Sequence, residues 1–289
     1  MYVSDGDPSL VSQVKALGYR TVAMHPYYAS GWNRVPVYRD LGFDEMMFLE
    51  DFQDKAYMRG YVSDRSDYQN LIRVCEEKEE GEPLFLFNVT MQNHSAYNLP
   101  WTGLERTTWL TGALAGRFKT VDQYLSLMYQ SDRALEDLIG YFSQVEEPTM
   151  ILIFGDHQPQ VATNFYARLL GQSPSLANHQ KKQMVPFLIW ANYDIPEAEG
   201  VETSINYLST LLAETAGLPL TGYQSFLKET AAELPVVNSV GYRDAAGNWH
   251  QSAANMDGPA AQALWKYQMV QYNNVFDKGD RVEGFFDPE

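Results

Sequence analysis

The stretch PTMILIFGDHQP (148–159) holds five successive apolar residues, Met150–Phe154, between a proline and a glycine. The run is too short for a buried helix, and it matches a strand covered on both faces. Gly155, Asp156 and His157 then set a carboxylate and an imidazole just beyond the strand's carboxyl end. That is where open α/β sheets bind ligands. Carboxylate with imidazole suits Mn²⁺, Zn²⁺ or Mg²⁺. A second reading is a turn in which Asp156 caps the next helix and His157 is merely polar. Spacing alone leaves both open.

The same strand pattern recurs outward from this stretch, in YRTVAM (19–24), PLFLFNVTM (83–91) and VPFLIWA (185–191). Helical patterns separate them. Residues 8–18 close on Gly18, and a second helix runs over 66–79. The clearest spans 118–142, with Val121, Tyr124, Leu125, Met128, Leu135, Leu138, Ile139 and Phe142 at three- and four-residue steps. Others are expected over 204–216, 224–234 and 259–272. Strands alternating with helices predict a mostly parallel sheet with helices on both faces. A first helix that feeds a strand reads as a chain cut in mid-fold. Residues 98–116 read as a polar surface excursion and 241–248 as a hairpin-like turn.

Composition narrows the function classes. The 289 residues suffice for one large α/β domain or two small ones. With 21 basic and 37 acidic side chains the net charge is −16, which disfavours a nucleic-acid partner. A small anionic substrate stays admissible, because a local site can be positive within a negative whole. Cys75 is the sole cysteine, so no intrachain disulfide or cysteine-rich zinc site can form. The longest apolar run, 184–191, falls far short of the ~20 residues of a membrane span, and no signal peptide opens the chain. No GxGxxG, Walker or GxSxG motif is present.

Two further clusters follow strands. MHPYYASGWNR (24–34) gathers His25, three aromatics, Asn33 and Arg34. Arginine grips phosphate or sulfate bidentately, and Trp32 offers a flat wall. The alternative is a loop anchored by its aromatics, with Arg34 solvated or paired with Asp40 or Asp44. NVTMQNH (88–94) places His94 beyond another strand end. Three of the five histidines, His25, His94 and His157, thus point to one crevice, whereas His179 and His250 read as surface. The run Glu76–Glu80 reads as a solvated helix end, Tyr267, Tyr272 and Phe276 as packing, and Cys75 as a small buried hydrophobe.

These motifs, together with GYRTVAMHPYYASGWNRVPVYRDLGFDEM (18–46), RGYVSDRSDY (59–68), YLSLMYQSDRALEDLIGYF (124–142), VPFLIWANYD (185–194) and QYNNVFD (271–277), occur in one order over nearly the whole chain. In this the chain resembles the lipoteichoic acid synthase-like branch of the sulfatase/alkaline phosphatase superfamily, membrane-anchored phosphoglycerol transferases of Gram-positive bacteria. The resemblance implies an α/β three-layer sandwich with a mostly parallel central sheet, and a single catalytic domain over 1–289 that lacks its N-terminal segment. It implies that Asp156 and His157 ligate one Mn²⁺ or Mg²⁺, held weakly or not at all by this chain alone. It implies that His25, Trp32 and Arg34 hold a phosphoglycerol head group and that His94 lies beside the transferred phosphoryl group. The nucleophile implied is a threonine upstream of residue 1, since nothing in 1–17 matches that motif. The substrate implied is an anionic lipid or polymer with a glycerol phosphate head group, at the extracellular face of the membrane. A sulfatase or phosphodiesterase of the same superfamily, or a non-catalytic domain binding an anionic polymer, is the alternative.

Overall fold

The computed structural model describes residues 4–171 and 175–288. In chain order the strands are β1 (Arg20–Met24), β2 (Glu45–Met47), β3 (Tyr57–Met58), β4 (Tyr61–Val62), β5 (Leu84–Asn88), β6 (Met150–Phe154), β7 (Phe187–Ala191), β8 (Val236–Asn238), β9 (Gly241–Arg243) and β10 (Trp249–His250). The α-helices are α1 (Leu10–Ala16), α2 (Arg34–Asp40), α3 (Asp64–Glu76), α4 (Lys119–Phe142), α5 (Thr163–Leu170), α6 (Leu176–Lys181), α7 (Ile205–Thr215), α8 (Gly222–Glu233) and α9 (Gly258–Val275). They fall into two compact units, one of residues 18–147 and 158–171, the other of 4–17, 148–157 and 175–288.

The first unit is built on a parallel sheet, β2-β1-β5. Thr21, Val22, Ala23 and Met24 of the central strand are wholly buried. Val22 and Met24 pack with Phe52 and Val74, flanked by Leu71, Leu84 and Leu86. Ser63 starts α3 by accepting the backbone N–H of Ser66 on its hydroxyl, a cap that satisfies an otherwise orphaned donor. Because β1 and β5 run parallel with Met24 opposite Asn88, residues 25–34 and 89–94 leave the sheet at the same edge. This register positions the site.

In the second unit β6 and β7 pair antiparallel, Met150 opposite Ala191 and Phe154 opposite Phe187. Gly155 continues the pairing through its N–H to Pro186 O at 3.1 Å. A Cβ there would stand 3.0 Å from Val185 Cβ, tighter than ordinary contact, so any larger residue would push on Val185. Helices α7, α8 and α9 enclose Tyr207, Leu227, Leu234, Val237 and Leu264, and the antiparallel sheet β10-β9-β8 adjoins them. Helix α1 is joined to α8 by reciprocal amide bonds, Gln13 Nε2 to Gln224 Oε1 at 2.8 Å and Gln224 Nε2 to Gln13 Oε1 at 2.7 Å. Asp7 accepts from Lys278 and Arg281, tying the two ends of the chain.

All six expected helices are present, and 241–248 is the β9–β10 hairpin. Several details differ from expectation. The apolar runs of β5, β6 and β7 are half-buried, not covered on both faces, and β6–β7 is antiparallel. An apolar run marks a strand but carries no direction. In α4, Met128 is exposed while Asp122, Gln123, Ser126 and Leu127 turn inward. The polar three do so because they hold the 98–116 excursion: Asp122 accepts from Leu110 N and Arg106, Ser126 Oγ donates to Thr108 O, and Gln123 donates to Leu99 O. That excursion is therefore docked, with Leu104 buried and Gly103, at φ +71, set against Tyr57 O. His250 is half-buried and pairs with Asp244 at 2.8 Å. Tyr272 and Phe276 are exposed, whereas Tyr267 packs in the core of the second unit. Cys75 is only half-buried, and burial pushes its thiol up to about 11.

Candidate active site

His25 follows β1 directly and is fully buried. Its Nδ1 lies 2.7 Å from Val89 O, so Nδ1 carries the proton and Nε2 is left as an acceptor. That Nε2 is buried and has no hydrogen-bond partner. Burial lowers the imidazole from 6.5 to about 4, with the charges of Arg34 and His94 acting the same way and the Val89 bond opposing them. At neutral pH His25 is uncharged.

Trp32 and Asn33 both adopt the left-handed region, φ 51 and φ 57. For non-glycine residues each such conformation costs about 1–3 kcal/mol, which the surroundings must offset. Ring contacts supply the offset. Trp32 stands edge-on to His25 at 5.8 Å and to His94 at 5.5 Å, and Tyr27 lies 5.5 Å away. Even so, 53% of Trp32 is exposed, which makes it a wall open to ligand.

Arg34 opens α2, its guanidinium 5.2 Å from the Trp32 ring centre. It donates to Tyr38 Oη at 3.0 Å, and its Nε is buried without a partner. It makes no ion pair with a carboxylate among the described residues. Asp40 pairs with Arg39, and Asp44 accepts from the N–H and hydroxyl of Thr21. The loop-tying role considered for Arg34 is thus not what these acids do.

His94 reaches the same place from β5. Its Nδ1 is 2.7 Å from Ser95 O, and its ring meets Trp32 at 5.5 Å and Tyr61 at 5.9 Å. The first unit therefore brings His25, Trp32, Arg34 and His94 together. Such a set can accept a hydroxyl on a neutral imidazole, hold an oxyanion on a guanidinium and cover an apolar face with an indole.

Two supporting residues escaped the sequence reading, Tyr61 and Arg59. Arg59 and Gly60 are the two-residue turn between β3 and β4, with φ 51 and φ 91. Positive φ at both positions is the requirement of a type I′ turn, which favours Asn-Gly. An arginine–glycine pair between short apolar stretches was the available signal. Beneath the site, Asp64 and Asp67 at the start of α3 are buried. Asp64 accepts from the Ser131 hydroxyl at 2.5 Å, and burial raises its carboxyl to about 6. Burial holds Asp67 well above the usual carboxylate range, with Asp64 adding repulsion; its Oδ2 accepts from Asn88 at 3.0 Å.

Asp156 and His157 lie in the second unit and pair with each other. The His157 N–H donates to Asp156 Oδ1 at 2.8 Å, and Nε2 is 3.4 Å from Oδ2. Their side chains are 78% and 63% exposed. Asp156 does not cap the next helix, because α5 begins at Thr163 with Ala162 before it. The donors suit a divalent cation, but two cannot complete its shell. Among the described residues no group of three or more His, Cys, Asp or Glu is placed to hold a metal. Nor is any helix of the described residues long and apolar enough to cross a membrane.

Residues 2–218 match the sulfatase family model. A putative cyclic β-1,2-glucan modification protein of Rhizobium meliloti is 26% identical over 99% of this chain and 45% of its own length. The capsular polysaccharide biosynthesis protein RkpI of the same organism is 31% identical over 51% of this chain and 25% of its own. Lipoteichoic acid synthase 1 of Bacillus subtilis is 26% identical over 63% of this chain and 28% of its own. The chain thus spans less than half the length of these relatives. Among solved structures, the Streptococcus pyogenes phosphoglycerol transferase GacH, in complex with sn-glycerol-1-phosphate, superposes with a TM-score of 0.68 at 20% identity, over 91% of this chain and 63% of that one. The lipoteichoic acid synthase LtaP of Listeria monocytogenes gives 0.61 at 15% identity, over 95% and 75%. The fold is alkaline phosphatase-like, and the chain belongs to the sulfatase family.

Proposed function

We propose that the chain is part of an enzyme that transfers a phosphoglycerol group from an anionic lipid or polymer, at the outer face of a membrane to which the longer protein is anchored. In this reading the whole of 1–289 belongs to one catalytic domain. The observation that carries it is the unpaired donor–acceptor set of the first unit: an unpartnered, buried, neutral His25 Nε2, and an Arg34 without a carboxylate partner, beside an exposed Trp32. His25 Nε2 accepts a glycerol hydroxyl, which a neutral acceptor suits and a phosphate oxygen does not. Arg34 offsets charge on the phosphoryl oxygens, and the His94 ring, its Nδ1 bonded to Ser95 O, stands beside Trp32. Trp32 covers the glycerol carbons. Asp156 and His157 would supply two donors to a divalent cation, Mn²⁺ or Mg²⁺, whose chemistry when bound would be Lewis-acid polarisation of a phosphoryl oxygen. The glycan-related names of two relatives favour a carbohydrate acceptor.

The test is a chemical-shift titration of the labelled chain with glycerol phosphate. Shifts confined to His25, Trp32, Arg34 and His94, removed by Arg34→Ala with no more than the small loss of melting temperature that its one bond to Tyr38 explains, are the expected result. Equal shifts with inorganic phosphate at the same concentration, or shifts away from these residues, overturn the reading.

A further inference from the structure

We propose that Arg59 is a positioning residue for the candidate site: its guanidinium gathers the backbone carbonyls of residues 92, 94 and 96 and so fixes where the His94 imidazole stands. The inference deepens the phosphoglycerol reading and rests on it for the identity of the ligand. Arg59 is buried, at 6% exposure. Nη1 donates to Ala96 O at 2.7 Å and to Gln123 Oε1 at 3.4 Å, and Nη2 donates to Gln92 O at 2.9 Å and His94 O at 3.1 Å. The Tyr61 and Tyr97 rings flank the guanidinium at 5.9 and 5.6 Å.

None of these partners is a carboxylate. A buried cation normally takes an acid, yet this one turns its Nη donors mainly to the carbonyls of His94 and of the residues two before and two after it, while Nε has no partner. The segment has a second anchor in Ser131, whose hydroxyl accepts from Gln92 Nε2 at 3.1 Å and Asn93 Nδ2 at 2.8 Å while donating to Asp64. The far end of the segment is joined to the same hairpin, since the Tyr61 hydroxyl donates to Ser95 O at 3.3 Å. The ring of His94 thus meets Trp32 and Tyr61 from a backbone set by one planar fork.

The turn itself gives no reason for an arginine. Asparagine or glycine would fit its left-handed φ with less strain, so the side chain, not the backbone, accounts for the residue at 59. A lysine could not replace it, because a point ammonium cannot span three carbonyls held by a planar fork.

Two variants test this, with the chain labelled for imidazole nitrogen NMR. In Arg59→Lys the His94 ring nitrogens should leave the single Nδ1–H tautomer, and glycerol phosphate should bind about tenfold more weakly, the loss of one or two charge-assisted bonds. The His25 signals should stay in place. Arg59→Gly removes the turn strain and vacates the fork, and millimolar guanidinium should restore the His94 signals. Wild-type His94 signals and wild-type glycerol phosphate affinity in Arg59→Lys, even with a lowered melting temperature, would show a merely structural arginine and overturn the proposal. If Arg59→Lys does not fold, Arg59→Gly decides, and His94 signals that ignore guanidinium overturn it. A wild type that ignores glycerol phosphate while Arg59→Lys still moves the His94 tautomer defeats the functional reading and leaves the positioning role standing.

Discussion

The segments after β1 and β6 begin alike in sequence, a buried-looking strand followed within three residues by a histidine, yet they are built differently. After β1, His25 is fully buried, bonded to Val89 O and boxed by the Trp32 and Tyr27 rings. After β6, Asp156 and His157 stand mostly in solvent and bond to each other. The first segment is organised by its own unit before any ligand arrives, so its affinity need not cover the ordering of its groups. The side chains of the second lie mostly in solvent and carry little of the packing that orders the first. Substitutions should therefore be costly in the first and nearly silent in the second.

The largest effect is expected at His25. His25→Ala removes a buried ring and strands Val89 O, a loss of about 3 kcal/mol at pH 7.5 by urea denaturation. The pH profile identifies the cause. His25 has its folded-state value lowered from 6.5 to about 4, so its stabilisation is complete above pH 6.5 and is lost as pH falls through 4. The gap between wild type and variant should close over that window. A gap that widens toward acid would mean that His25 is charged in the folded state.

Asp64 should behave in the opposite sense. Its carboxyl is raised from 3.8 to about 6, so its contribution is favourable below pH 3.8 and lost as pH rises through 6. Asp64→Asn keeps an acceptor for Ser131 and should gain about 2 kcal/mol at pH 8 and nothing at pH 3. Destabilisation at both pH values would show that the carboxylate is needed as an ion.

Smaller effects sharpen the contrast. Arg34→Ala loses one bond to the Tyr38 hydroxyl and should cost about 1 kcal/mol. Because the Arg34 charge helps lower His25, the same variant should move the His25 titration upward from about 4, read by NMR. Asp156→Ala should change stability by no more than about 0.5 kcal/mol in metal-free buffer, as for other solvated side chains. A loss as large as that of His25→Ala would place a structural role on the 155–159 segment.

Much of this was legible from residue order. The six helices carried caps, stops and periodicity, and the β1 and β5 runs located the loops that hold His25, Trp32, Arg34 and His94. Strand direction was not legible, because MILIF and FLIWA read the same in either orientation. Nor were Asp122, Gln123 and Ser126 readable as inward-facing, since a buried polar residue leaves no apolar period. Arg59 was hidden for a related reason. Its partners are backbone carbonyls more than thirty residues away, and carbonyls have no identity in sequence.

The two units also differ in how they use the chain. Residues 18–147 supply nearly all of the first, so its parallel sheet and its histidine pair can assemble as soon as that stretch has emerged from the ribosome. The second draws on three separated stretches, and its amide pair Gln13–Gln224 bridges 211 positions while Asp7 waits for Lys278 and Arg281. Contacts so distant in sequence are slow to close. During synthesis α1 therefore stays without Gln224 until α8 has been made, and Asp7 without its partners until residues 278–281 have been made. A nascent chain stalled after residue 171 would hold a finished first unit and an unfinished remainder, a natural point of vulnerability to proteases and of demand for chaperones.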